Sequence, residues 1–371
     1  MSGNEASRPI RLGVIGLGLI AQSVHIPNIT GPLAERFRIV HVCDLSPGLA
    51  TAIGGELGAR HGTDIEVLLN DPDVEAVLIC TPGAHSPLAR KALERGKHVF
   101  AEKPYSYDPA IAVTDQDFAD QQGLVLQVGY MKMYEPALAA ARARMAAIGP
   151  LRLVRMTVLH PSDENQTKDL SLKRFNDVEP GILEQARAEI WRDVRAALAD
   201  LPGLDEVLFR NVLHGSVCHQ VSVLRALFPD AAPEVISVHQ DAPGSVRTEP
   251  PKLQIVGRLP GGPDWSISWN WLTHFPEYQE WLEIYGDHGS MRIDFPPPYL
   301  KGQSAVLTVT TSSAHRDVLT EQFDPRGATA FQIELAQFWS SIAERTPVLS
   351  SADGAGRDSH LLRRIATLAS G

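Results

Sequence analysis

Three short stretches carry residue types whose spacing could do chemistry. Gly16-Leu17-Gly18-Leu19-Ile20-Ala21 has the form G-x-G-x-x-A. The first glycine permits a tight strand-to-helix turn, and the second lets the backbone approach a pyrophosphate. Ala21 allows close helix–strand packing, and the helix start at Leu19 and Ile20 offers N–H groups to an anion. Asp44 stands 26 positions after Gly18, at the end of the apolar run Phe37–Cys43. A carboxylate there can accept hydrogen bonds from an adenosine ribose. The same charge opposes a 2′-phosphate, and Leu45 and Ser46 add no cation, so NAD is expected over NADP. The rival reading is a plain glycine turn with an incidental aspartate.

The other two stretches are Cys80-Thr81-Pro82-Gly83-Ala84-His85 and Ala101-Glu102-Lys103-Pro104, each closing an apolar run. In a doubly wound sheet, ligands collect beyond the carboxyl ends of the strands. Thr81, Pro82, His85, Glu102 and Lys103 are therefore expected beside a bound dinucleotide, with Lys103 at its nicotinamide half. Pro104 fixes its own φ and restricts the residue before it, making a rigid corner that aims the lysine. From pattern alone, Lys103 reads equally as a solvated strand-end lysine, and His85 as a loop histidine. His25, in the first helix, reads as structural.

The elements that must position these residues follow one rhythm up to about residue 130. Apolar, Val/Ile-rich runs at 10–16, 37–44, 75–81, 97–102 and 124–130 alternate with helix-like segments near 18–29, 46–58, 84–96 and 109–123. That alternation predicts a parallel sheet covered on both faces. Beyond it come a helix over 135–148, a strand over 150–160, a polar loop or lid over 161–180, and helices near 182–199 and 205–228. Strand-like runs separated by Gly/Pro/Asp turns fill 234–310 and predict an antiparallel or mixed sheet; helices over 330–344 and 355–370 finish the chain. The expected fold class is α/β: an N-terminal Rossmann doubly wound parallel sheet, residues 1–131, and a C-terminal α+β domain with a large, mostly antiparallel sheet, residues 132–371. The C-terminal helix is available to pack back on the first domain. Trp265, Trp269 and Trp271 share one face of a strand, which reads either as core or as a subunit interface.

Composition bounds the function classes. The 371 residues carry a formal net charge of −10 and no basic run, which argues against a nucleic-acid partner. Cys43, Cys80 and Cys218 are far apart and read as reduced core residues. The run after Arg8–Arg11 is short and glycine-interrupted, a poor signal peptide, and no stretch reaches a membrane span of about 20 apolar residues. The expected location is the cytoplasm. The histidines show no zinc spacing, so no metal is expected.

Taken in order and spacing, "GVIGLGLIA", "CTPGAHSPLARKALERGKHVFAEKP" and "LQVGYMKMYEPA" resemble the glucose–fructose oxidoreductase/inositol dehydrogenase (Gfo/Idh/MocA) family. The resemblance covers residues 10–140 well and the second domain more thinly, where "HQVSVLRALF" fits the type. It implies that Lys103 lies in an active site, with an acid–base or substrate-orienting role. It implies that His219, on a second-domain helix, accepts or donates the proton, with a satisfied helix histidine as the rival reading. Many members carry an aspartate four residues before that histidine; here Gly215 occupies the position. His214 is set aside as a substitute because five α-helical residues point about 140° away. Tyr130 and Lys132 are further substrate-binding candidates, a solvated lysine being the alternative for Lys132.

The function so implied is hydride transfer between NAD and a secondary alcohol or ketone of a sugar, cyclitol or sugar derivative, by a homo-dimer or homo-tetramer. An enzyme that retains its NAD for redox-neutral chemistry through a transient ketone is one alternative, and a non-catalytic NAD-binding regulator is the other. A lysine has a reference pKa of about 10.4 and a histidine about 6.5, so His219 is the easier base and Lys103 the easier orienting cation.

Overall fold

The structure, a computed structural model, describes residues 8–201, 203–241, 250, 252–300, 302–312 and 318–369. The chain forms two compact units, each drawn from separate segments. The first holds the residues up to Tyr130 together with Leu170–Ala197 and Phe331–Arg357; the second holds Met131–Asp169, Leu198–Ala330 and the residues from Asp358 onward.

In the first unit the strands are β1 (Ile10–Ile15), β2 (Phe37–Cys43), β3 (Arg60–Gly62), β4 (Ala76–Ile79), β5 (His98–Glu102) and β6 (Leu126–Gly129). Among the described residues they make one parallel sheet in the order β3-β2-β1-β4-β5-β6. Every residue of β4 and β6 is buried, as strands covered on both faces must be. The helices that cover them are capped locally. The Ser46 hydroxyl accepts from Leu49 N at the start of Pro47–Leu57, and Asp108 accepts from Ala110 N at the start of Pro109–Gln122. Gly58 and Gly123 end these helices at φ 59° and 66°. Helix Ala330–Ala343 returns from the far end of the sequence to place Leu335 and Phe338 in this core, with Phe338 against Phe37 and Phe100.

The first helix departs from expectation. Ala21–His25 is wound as a π-helix before Ile26–Thr30 continues as α-helix. Pro27 supplies the reason: it lacks the N–H for the residue four back and its ring crowds that carbonyl, and a wider preceding turn relieves both. The short β3 strand, with too little pattern to read, was not expected.

The second unit contains β7 (Leu151–His160), β8 (Glu234–Gln240), β9 (Leu253–Arg258), β10 (Asp264–Trp271), β11 (Gln279–Gly286), β12 (Gly289–Phe295), β13 (Val306–Ser312) and β14 (Val318–Phe323). Its sheet runs β14-β13-β12-β11-β7-β10-β9-β8, and β7 with β10 is the parallel pair in an otherwise antiparallel order. The alternation is clean: β9 reads buried, exposed, buried along its length. Trp265 and Trp269 point to the buried face, where Trp269 Nε1 donates to Ser216 Oγ at 2.9 Å. That face is intramolecular core, so these tryptophans do not build a subunit interface. The 161–180 stretch, expected as loop, contains helix Asp163–Thr167, and β14 lies beyond the strands the sequence indicated.

Candidate active site

The residues singled out in the first unit gather at the carboxyl edge of its sheet. Gly16 takes φ 86°, and a Cβ there would lie 2.8 Å from the Cys80 carbonyl carbon and from Thr81 N. The turn after β1 therefore abuts the end of β4, and only glycine fits. A Cβ at Gly18 would meet nothing within 4 Å, which leaves the backbone open to close approach. Asp44, at the end of β2, accepts from Leu17 N at 2.8 Å and from Ser46 N at 2.9 Å. These two bonds fix its carboxylate beside the glycine turn and leave lone pairs for ribose hydroxyls. The residues fit a dinucleotide: an open glycine turn at a helix start with an oriented acid one strand over.

The Glu102-Lys103-Pro104 corner is fastened from behind. Glu102 is 8% exposed, its Oε1 lies 2.7 Å from His25 Nε2, and its Oε2 accepts from Lys103 N at 3.2 Å. Burial pushes its pKa up, but the His25 hydrogen bond and the charges of His25, Lys103 and His85 outweigh this and hold it below the usual carboxylate range. Its carboxylate thus binds the protein's own frame, where the sequence suggested a cofactor contact. Lys103 itself is half-buried, ahead of a cis bond to Pro104.

His85 is 1% exposed and stands between two loops, with Nδ1 2.8 Å from Pro104 O and Nε2 2.7 Å from Thr81 O. Burial draws its pKa down, against the Pro104 carbonyl, Glu102 and the Thr81 carbonyl. The ring ties the Thr81-Pro82-Gly83 loop to the lysine corner, and that is the route by which it shapes the site. Gly83, at φ 89°, is covered by Ile190 of helix Pro180–Ala197.

In the second unit, His219 is 8% exposed on helix Cys218–Leu227. Its neighbour Gln220 donates to Glu280 Oε1 at 2.7 Å, and Tyr278 donates to Glu280 Oε2 at 2.5 Å. Lys132 completes the cluster by pairing with Glu280; the two are 5% and 4% exposed. Lys132 is therefore not a solvated lysine, because its ammonium neutralises a buried carboxylate. Tyr130, in the first unit, is 2% exposed and serves as core. The signal missed at Lys132 was its setting: one cation among Met131, Met133 and Tyr134 needs a buried partner.

Glu135 borders this cluster, 6% exposed and accepting from Ala305 N at 3.0 Å. Burial raises its pKa to about 7, with the Ala305 bond and Lys132 opposing and Glu280 reinforcing. A raised folded-state carboxyl pKa means the folded chain holds a proton that the unfolded chain has lost. Stability therefore declines as pH climbs from about 4.5 to about 7, by up to about 1.4 kcal/mol per unit. Glu135→Gln removes that decline and should gain roughly 2 kcal/mol over the parent between pH 5 and 7.5. Paired unfolding curves at the two pH values check it, and parallel curves would refute it.

Leu208–Val217, just before His219, is a π-helix. Cys218 donates its amide to Leu213 O, the i→i−5 bond of a turn wider than the α-helical one. The 140° offset that set His214 aside presumes α-helical winding and does not hold. His214 is 1% exposed, with Nδ1 3.1 Å from Phe209 O, and burial pushes its pKa down to about 4. It is a neutral imidazole at physiological pH. The Cys218 thiol donates to His214 O at 3.1 Å, and Cys43 and Cys80 are buried thiols.

The parallel sheet, open glycine turn, oriented acid and fastened lysine corner define a dinucleotide-binding domain of the Rossmann class. Residues 10–130 match the family model described as "Oxidoreductase family, NAD-binding Rossmann fold" (GFO_IDH_MocA). It is 32% identical over 140 residues to scyllo-inositol 2-dehydrogenase (NAD(+)) of Bacillus subtilis, a match covering 37% of this chain and 40% of the relative. It is 31% identical over 156 residues to inositol 2-dehydrogenase of Rhizobium meliloti, covering 41% of this chain and 46% of the relative. The chain thus matches less than half the length of these curated relatives. Among solved structures, a 3-ketoreductase from Actinomadura kijaniata in complex with NADP superposes with a TM-score of 0.71 at 18% identity, covering 98% of both chains. UDP-N-acetylglucosamine 3-dehydrogenase from Acidithiobacillus ferrooxidans gives 0.68 at 19%, covering 98% of this chain and 99% of that one. At those identities the likeness establishes the fold. No helix among the described residues is long and apolar enough to cross a membrane.

Proposed function

We propose that the chain is an NAD-dependent oxidoreductase acting on a secondary alcohol or ketone of a cyclitol, sugar or sugar derivative. The observation that carries this is the carboxyl edge of the first sheet, where the glycine turn, Asp44 and Lys103 stand at the ends of β1, β2 and β5. Names of the relatives, inositol dehydrogenases among them, support the substrate class. Gly16, Gly18, Leu19 and Ile20 would hold the pyrophosphate, Asp44 the adenosine ribose, and Thr81, Pro82 and Lys103 the nicotinamide side. A bound nicotinamide ring supplies hydride transfer. The chain's residues supply the rest. Lys103 orients the substrate oxygen and stabilises negative charge growing on it, and His219 takes the hydroxyl proton on a ring nitrogen.

Gly215 at the position of the family's acid favours one second reading, a protein that binds NAD without turning substrate over. One experiment separates the two. Purified chain with NAD and a panel of inositols and aldoses should produce NADH absorbance. Nucleotide binding with no NADH from any panel member would favour the second reading. The assembly is proposed as a homo-oligomer, on the ground that the face of the second sheet opposite Trp265 and Trp269 forms a hollow lined by Leu159 and Trp281 together with Thr157, Ser266 and Ser268.

A further inference from the structure

Residues 170–179 follow Met131–Asp169 of the second unit in sequence but belong to the first, where they are pinned beside the adenosine end of the cradle. Lys173 N donates to Gln22 Oε1 at 2.8 Å, Gln22 Nε2 donates to Lys173 O at 3.2 Å, and Lys173 Nζ reaches Glu56 at 2.7 Å. Four residues on, Asp177 Oδ1 accepts from the Ser46 hydroxyl at 2.5 Å and Oδ2 accepts from Gly48 N at 2.6 Å. Ser46 thereby joins two carboxylates, since its own amide donates to Asp44 Oδ1 at 2.9 Å.

We infer that Asp177 sets the choice between the two dinucleotides by holding the donors that a ribose 2′-phosphate would need; the inference rests on the dinucleotide reading above. The Ser46 hydroxyl and the Gly48 amide stand at the first turn of the eleven-residue helix Pro47–Leu57, the place where helix geometry favours an anion. Asp177 is that anion. The Ser46 bond, aided by the Gly48 amide, holds its carboxyl below the usual range, so it is charged at neutral pH. An incoming phosphate would have to displace it and would face Asp44 as well. A 2′-hydroxyl can instead donate to Asp44 with Asp177 in place. The same segment brings apolar surface of the kind a purine covers. Phe175 is 48% exposed with its Cδ1 2.6 Å from where a Cβ on Gly48 would lie, and Leu45, next to Asp44, is 43% exposed.

The test is direct titration of NAD, NADP, ADP and 2′-phospho-ADP into the full-length chain, with no turnover required. The parent should prefer NAD to NADP, and ADP to its 2′-phosphorylated form. Asp177→Ala frees two donors and removes one charge, so its NADP affinity should rise about tenfold while NAD affinity holds within about threefold. Asp177→Asn, which keeps a weaker acceptor, should fall between them. An unchanged NADP-to-NAD ratio in both variants would overturn the inference and leave the dinucleotide reading standing. Equal loss of both nucleotides would also overturn it, marking Asp177 as a brace alone. Binding of neither nucleotide to the parent would overturn the inference and the reading together.

Discussion

Lys132→Met should destabilise the chain by about 3–5 kcal/mol, the cost of leaving a buried carboxylate without its counter-ion. Lys132 and Glu280 are both nearly out of solvent, so water cannot replace the lost ammonium. The remaining partners of Glu280 are Gln220 at 2.7 Å and Tyr278 at 2.5 Å, both neutral donors. They cannot offset a full charge in a medium of low polarity. Methionine matches the lysine stem in length, so little of the loss should come from a cavity. The double variant Lys132→Met/Glu280→Gln keeps an acceptor for Tyr278 and removes the charge, so it should recover most of the stability. Denaturant unfolding of parent, single and double variants measures this. A single variant within about 1 kcal/mol of the parent would show that the pair is worth no more than a surface ion pair.

Lys103→Met should lower kcat/KM by about 10²–10⁴-fold while leaving NAD binding within a few-fold of the parent. The binding half follows from position. The pyrophosphate and ribose contacts are proposed for Gly16, Gly18 and Asp44, and Glu102 with His25 holds the corner whether or not a cation stands at 103. The catalytic half follows from chemistry, since a methionine can neither orient a hydroxyl nor stabilise an alkoxide. Lys103→Arg should recover little, because a planar fork does not replace a compact ammonium. His219→Asn separates the two roles: it should lower kcat and flatten the acidic limb of the pH profile, where Lys103→Met lowers the whole curve. Parent-like turnover in Lys103→Met would end the assignment of Lys103, and an unaltered pH profile in His219→Asn would end that of His219.

Much of the first unit was legible because its signals are local. Each strand that matters ends in a residue with a backbone or charge reason to be there: Gly16, Asp44, Thr81-Pro82 and Lys103-Pro104. Parallel order follows from strand–helix alternation, which a single pass along the chain reveals. What escaped depends on partners far apart in sequence. His25 meets Glu102 across 77 positions, Asp177 meets Ser46 across 131, and Lys132 meets Glu280 across 148. No local periodicity encodes those meetings. The π-helix at Leu208–Val217 escaped for another reason: its sequence keeps α-helical composition, and only its hydrogen bonds show the wider turn. The 140° offset counted along an assumed α-helix therefore does not describe His214.

The interleaving of the two units has a consequence for how the protein comes to exist in a cell. The β6 edge of the first sheet is closed by the last part of the chain: Val128 N donates to Ser350 O at 2.8 Å, Ser350 Oγ donates to Val128 O at 2.6 Å, and Gln127 Nε2 donates to Glu334 O at 2.9 Å. A ribosome adding about 5–20 residues per second takes roughly ten to forty seconds to travel from β6 to Ser350. Throughout that interval the nascent nucleotide domain carries an unpaired strand edge, the feature most prone to pairing with another chain. The growing polypeptide is thus most exposed to misassembly after its nucleotide cradle is written and before the domain that holds it is complete.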